Sequence, residues 1–186
     1  MQESQITRQN TSGQELKLNG DGELVTEDRV HHEIHEGDAY HMEDSYELAI
    51  NGVLDIQFIT GADYIHLVDL YTMESETSHY LYEGATISVN GTAANVQNKN
   101  RNSANISTVT AYYQINTSLA NANADTDVSG ATELSHAIVG SGRSEGILAH
   151  DNEWVLKPNT VYVFRCIEGG TAAGYVDAHL EWYEIP

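Results

Sequence analysis

The sequence predicts an all-β protein: an antiparallel β-sandwich of jelly-roll-like type with an extended N-terminal arm. Three observations carry this expectation. Apolar residues alternate in short runs rich in Val, Ile, Leu, Thr and aromatics, at residues 53–60, 64–72, 79–83, 160–167 and 178–183. Clusters of Gly, Asn, Asp and Ser separate the runs, as tight turns between strands require. None of the runs has the periodicity of an amphipathic helix.

The elements follow in order. Residues 1–30 are polar and thinly apolar, with Leu16, Leu18, Leu24 and Val25 flanking the possible hairpin turn Asn19-Gly20-Asp21-Gly22. That segment buries too little to offset its ordering entropy, so it reads as an arm ordered against a partner subunit or loosely attached. The sandwich domain is expected over residues 31–186. Its first strand region, around Tyr46, leads through Asn51-Gly52, a type I′ turn signal, into the 53–60 run. In the 64–72 run, Tyr64, His66, Val68 and Leu70 point one way and Ile65, Leu67, Asp69 and Tyr71 the other. Both faces carry apolar groups, which predicts a central strand. Asn90-Gly91 closes another turn, and residues 107–114 read as a strand. The small, polar stretch 116–130 reads as a long excursion loop, and 140–146 as a Gly/Ser loop. Glu153-Trp154-Val155-Leu156 is a strand, Lys157-Pro158-Asn159 a turn with Pro fixing φ, and two more strands close the chain. Eight to ten strands suit a two-sheet jelly roll.

The 186 residues suggest one domain with an appendage, large enough to hold a core without disulfides. There are 28 acidic residues against 8 basic ones, a net charge of −20. That balance argues against nucleic acid and anionic membranes as partners, because phosphate contacts need clustered Lys and Arg. It also implies high solubility and self-repulsion. Cys166 is the single cysteine, so no disulfide framework forms; it shares a strand face with Tyr162 and Phe164 and reads as a buried, inert thiol. The N-terminal residues carry no basic region followed by an apolar stretch, so synthesis in a cytoplasm is expected. No apolar run approaches the length of a membrane span.

Tests for chemistry return little. His31, His32, His35 and His41 lie among Glu33, Glu36 and Asp38, a dense set of nitrogen and oxygen ligands. His32-Glu33-Ile34-His35 is one residue short of the zinc-protease motif H-E-x-x-H. On a strand His31, Glu33 and His35 would share a face that could take Zn²⁺ or Ni²⁺; the preferred reading is a polar segment without a metal. Cupins place His and Glu on a jelly roll too, but their His-x-His pair is missing here. Asn19-Gly20-Asp21-Gly22-Glu23 fails the EF-hand loop pattern. Gly140-Ser141-Gly142-Arg143 matches neither a P-loop nor a dinucleotide fingerprint, and there is no G-x-S-x-G elbow. No catalytic residue, cofactor or metal is assigned. Trp154, Trp182 and the tyrosines could line a glycan platform on the outer face, although aromatics on strands more often pack in cores.

Five segments, taken in order, carry a resemblance. They are His32-Glu33-Ile34-His35-Glu36-Gly37-Asp38-Ala39-Tyr40, Tyr80-Leu81-Tyr82-Glu83-Gly84, Asn98-Lys99-Asn100-Arg101-Asn102-Ser103, Glu153-Trp154-Val155-Leu156-Lys157-Pro158-Asn159-Thr160 and Glu181-Trp182-Tyr183-Glu184. Together these resemble capsid decoration proteins (cement, auxiliary or head-fibre base proteins) of tailed bacteriophages, over about residues 30–186. The resemblance implies a jelly-roll-like body and a non-enzymatic virion role on the capsid exterior. The implied partners are the major capsid protein and further copies of the chain, commonly as a homotrimer, with synthesis in the host bacterial cytoplasm. Another virion component (tail, fibre or baseplate), a carbohydrate-binding sandwich and a metal-dependent jelly-roll enzyme are the alternatives. Within the third segment, Asn98, Lys99, Asn100, Arg101 and Asn102 offer many donors and two of the cations. They are the candidate interface with a neighbouring copy or with the capsid.

Overall fold

A computed structural model describes residues 29–139, 146–149 and 153–185. Of the arm expected over residues 1–30 only Arg29 and Val30 are described, as the start of a helix, and of the Gly/Ser loop expected over 140–146 only Gly146, as the start of a strand; the rest lie outside the described residues. The chain enters through a short helix, α1 (Arg29–Glu36), and runs into β1 (Ala39–Leu48), β2 (Val53–Ile59), β3 (Tyr64–Met73) and β4 (Thr77–Glu83). An insertion follows, with β5 (Thr86–Ile87), β6 (Thr92–Ala93), β7 (Gln97–Asn98), β8 (Thr110–Asn116), helix α2 (Leu119–Asp125) and β9 (Thr126–Asp127). The framework resumes with β10 (Thr132–Val139), β11 (Gly146–Ala149), β12 (Trp154–Leu156), β13 (Val161–Glu168) and β14 (Gly174–Ile185).

Two antiparallel sheets pack face to face as a β-sandwich. The first has the order β11-β3-β14-β1-β7, with β12 also on β3, and the second β10-β4-β13-β2-β8-β6. Without the insertion, and with β11 and β12 taken as one interrupted strand, eight framework strands remain. In chain order they make sheets 6-3-8-1 and 5-4-7-2, which is the jelly-roll winding. The insertion then adds β7 beside β1 and β8 and β6 beside β2, so both sheets are extended along the same side. Each extension ends in a two-residue strand, too short to template pairing with another chain.

Alternation builds the core. From the first sheet Tyr40, Met42, Tyr46, Ile65, Leu67, Tyr71, Leu180 and Trp182 point inward, and from the second Leu54, Ile56, Phe58, Leu81, Tyr162 and Phe164. Phe58 packs edge-on against both Trp182 and Phe164, at 5.1 and 6.0 Å between ring centroids, so the two sheets interlock through aromatic rings. β3 lies inside its sheet with the two faces divided as the sequence predicts.

Three local expectations change. Asn51-Gly52 does not make a type I′ hairpin: Gly52 N donates to Ala49 O at 2.7 Å, so Ile50 and Asn51 are the central residues, and Asn51 alone takes positive φ (58°). The turn carries the chain from one sheet to the other instead of folding it back, so the twist-matching I′ geometry of a hairpin is not needed. The excursion at 116–130 contains α2, whose Ala120, Ala122 and Ala124 favour helix and whose Ala122 is fully buried. The His-rich segment is helical, not extended, and Gly37 ends the helix with φ +86°.

Candidate functional site

The site grows from the end of α1. Asp38 N donates to Glu33 O at 2.9 Å and Gly37 N to Ile34 O at 3.2 Å, the paired bonds of a Schellman C-cap. The next three carbonyls have no helical donor. The Asn-rich loop supplies one to each: Asn100 Nδ2 to His35 O (3.0 Å), Asn105 Nδ2 to Glu36 O (3.4 Å) and Asn98 Nδ2 to Gly37 O (2.6 Å). The loop braces itself as well, with Asn100 N on Asn98 Oδ1 at 2.8 Å and Asn102 N on Asn100 Oδ1 at 3.1 Å. It packs so closely that a Cβ at Gly37 would lie 2.3 Å from Ser103 Oγ.

The candidate residues therefore divide. The amides of Asn98 and Asn100 are committed to the cap. Lys99 Nζ turns onto the outer face of the first sheet and meets Glu181 Oε2 at 2.8 Å. Arg101 is exposed, with weak bonds to Gln97 Oε1 (3.4 Å) and Asn98 O (3.5 Å), and has no carboxylate partner among the described residues. Asn102 is exposed beside it.

Behind Lys99 the outer face of the first sheet carries ladders of ionisable residues in register. His41 lies across from Glu181, Glu43 from His179, and His66 from Tyr183. Burial raises the Glu181 pKa, but hydrogen bonds from Lys99 and His179 outweigh it and hold the carboxyl below its usual value. Burial, with His179 nearby, pushes His41 down. The His66 ring stacks on Tyr183 at 4.7 Å, and its Nδ1 lies 3.0 Å from Glu153 Oε1. A small open depression of about 40 Å³ lies between His66, Lys99, Glu181 and Tyr183.

At the end of β14, Glu184 ties the loop to the sandwich. Its carboxylate accepts from Ser107 Oγ (2.5 Å), Thr108 N (3.0 Å), Thr108 Oγ1 (2.7 Å) and Trp182 Nε1 (3.2 Å). Sequence reasoning passed over Glu184 because 28 acids make any one anonymous. Its even spacing with inward-facing Trp182 was the available signal.

The five segments that carry the resemblance lie far apart in sequence, and the fold brings them to one end of the sandwich. The first and third meet at the α1 cap. The fifth joins them through Lys99–Glu181 and through Glu184 N donating to Asp38 O at 3.0 Å. The second and fourth meet through Lys157 Nζ and Glu83 Oε1 at 2.6 Å, and Glu153 reaches the fifth by way of His66 and Tyr183. The opposite end, where Glu168 accepts from Ser75 Oγ and Gly170 N, holds none of them.

Within α1, His31 and His35 stand one turn apart with their Nε2 atoms 3.0 Å from each other, while Glu33 leaves the helix on another side. The face shared by His31, Glu33 and His35 on a strand therefore does not exist. No group of three or more His, Cys, Asp or Glu side chains among the described residues is arranged to hold a metal. Cys166 is fully buried, and burial pushes its thiol pKa up. No helix among the described residues is long and apolar enough to cross a membrane. No protein-family model, curated protein or solved structure matches the chain.

Proposed function

We propose that this chain is a non-enzymatic structural protein of a bacteriophage virion that decorates and stabilises the outer surface of the capsid. In this reading the end of the sandwich that bears α1 and the Asn-rich loop faces the shell. The observation that carries it is the gathering of the five decoration-protein-like segments at that end. A surface used for one attachment has reason to keep its residues together, whereas strands that serve only the core have none. Three further features support it. The loop is held rigid by its bonds to α1, which keeps the ordering cost of docking low. No carboxylate among the described residues pairs with Arg101, which suits it to acidic groups on the major capsid protein or on another copy. The acidic remainder of the surface keeps crowded copies soluble on a shell.

The test is mass measurement by light scattering and native mass spectrometry, alone and after mixing with empty shells of the encoding phage. A discrete homotrimer that co-sediments with shells and raises their melting temperature is the expected result. Arg101→Glu should weaken co-sedimentation without changing the fold. A chain indifferent to shells, or one that instead retains glycans on an array, would overturn the proposal.

A further inference from the structure

We propose that His31 and His35 form a two-ligand site for a divalent transition cation of the Zn²⁺, Ni²⁺ or Cu²⁺ class, placed on α1 where the chain enters the sandwich. This stands on the helix geometry and does not depend on the virion reading. The spacing of four residues sets the two rings on one face, one turn apart. Their Nε2 atoms are 3.0 Å apart and the ring planes are inclined at 82°. Two metal–nitrogen bonds of about 2.0–2.1 Å span such a separation with an angle at the metal close to a right angle. Both rings are exposed, so water can fill the remaining coordination positions.

The end of the helix that bears His35 is fixed. The Schellman cap locks the last turn, and Asn100 Nδ2 holds the carbonyl of His35 itself at 3.0 Å. A pair of ligands already held at chelating distance loses little freedom when the ion arrives. Imidazole selects the borderline metals over Ca²⁺ and Mg²⁺, which favour oxygen. At 3.0 Å one Nε2–H donates to the other Nε2. Binding replaces that bond: the donor ring moves its proton from Nε2 to Nδ1, and both Nε2 lone pairs face the metal without net proton release. The charge of −20 favours a cation at the surface.

The experiment titrates Ni²⁺ into the untagged, chelator-treated full chain by calorimetry, with NMR of the histidine rings. One equivalent should bind, with shifts centred on His31 and His35. His31→Ala and His35→Ala should each weaken binding by about tenfold or more. His32→Ala, whose ring leaves the helix about 100° from His31 and about 60° from His35, off the face the pair shares, should not change it. Neither should His41→Ala, which removes a member of a second histidine pair, His41–His179. Circular dichroism checks that each variant folds. Absence of binding, or binding that survives loss of both His31 and His35, overturns the proposal.

Discussion

Arg165 grips Asp55 with two parallel hydrogen bonds, Nε to Oδ1 at 2.6 Å and a terminal guanidinium nitrogen to Oδ2 at 2.9 Å, in a place where neither side chain touches water. The pair sits on adjacent strands β13 and β2, on the outward side of the second sheet. The guanidinium also donates to Thr126 O at 2.9 Å and Asn123 Oδ1 at 2.6 Å. It thereby pins α2 and β9 over the sheet, and the excursion in turn keeps the pair dry. Burial raises the Asp55 pKa, against the opposing pull of Arg165.

Breaking this pair from one side leaves a buried charge without its partner. Asp55→Ala or Arg165→Met should each cost about 3–5 kcal/mol in urea unfolding. Replacing both with apolar residues of similar volume should recover most of that loss. A single replacement without effect would mean that water reaches the site.

The C-cap of α1 predicts a second sensitive point. Gly37→Ala forces a Cβ into positive φ and against Ser103, at a cost of about 1–3 kcal/mol. Asn98→Ala leaves Gly37 O without its side-chain donor and should cost about 1 kcal/mol. Hydrogen exchange should show both changes loosening α1 and the 98–105 loop before the sheets.

Acid should weaken the fold in two stages. Burial, and then His179, hold the His41 pKa in the fold below the ordinary 6.5, so the unfolded chain takes up the proton first. Its contribution is whole above about 6.5 and is lost as pH falls toward the folded value. Glu83 and Glu181 are likewise held below 4.5, Glu83 chiefly by the Lys157 hydrogen bond, so their contribution disappears at lower pH. Melting temperature measured across this range should show both declines, and His41→Gln should remove the first.

Cys166 should be silent to thiol reagents in the native protein and react on unfolding, at a rate set by global opening. Cys166→Ser, which places a hydroxyl among Tyr162, Phe164 and their neighbours, should cost about 1–3 kcal/mol. Fast labelling under native conditions would contradict the burial.

Much of the sandwich was legible in the sequence because the strand period is local. Ile65, Leu67 and Tyr71 turn inward and His66 and Val68 outward by parity alone. The helices were not legible. α1 is only eight polar-rich residues, and its end depends on one glycine. The turn at Asn51 carried a strong hairpin signal, yet its geometry was decided by β1 and β2 belonging to different sheets. The Asn-rich loop was visible as a concentration of donors, but not what those donors bond. Asn98 and Asn100 find the carbonyls of Gly37 and His35, more than sixty positions earlier in the chain.

The sequence by itself determined the fold class, the acidic surface and the inward or outward sense of most strand residues, since these follow from composition and a two-residue period. Tertiary structure decided which residues share a site. Strand order places Glu184 over Thr108, Lys99 on Glu181 and Arg165 on Asp55, and pairing across more than seventy residues leaves no periodic trace in a single chain. The same long-range pairing assembled the end of the sandwich that we assign to attachment.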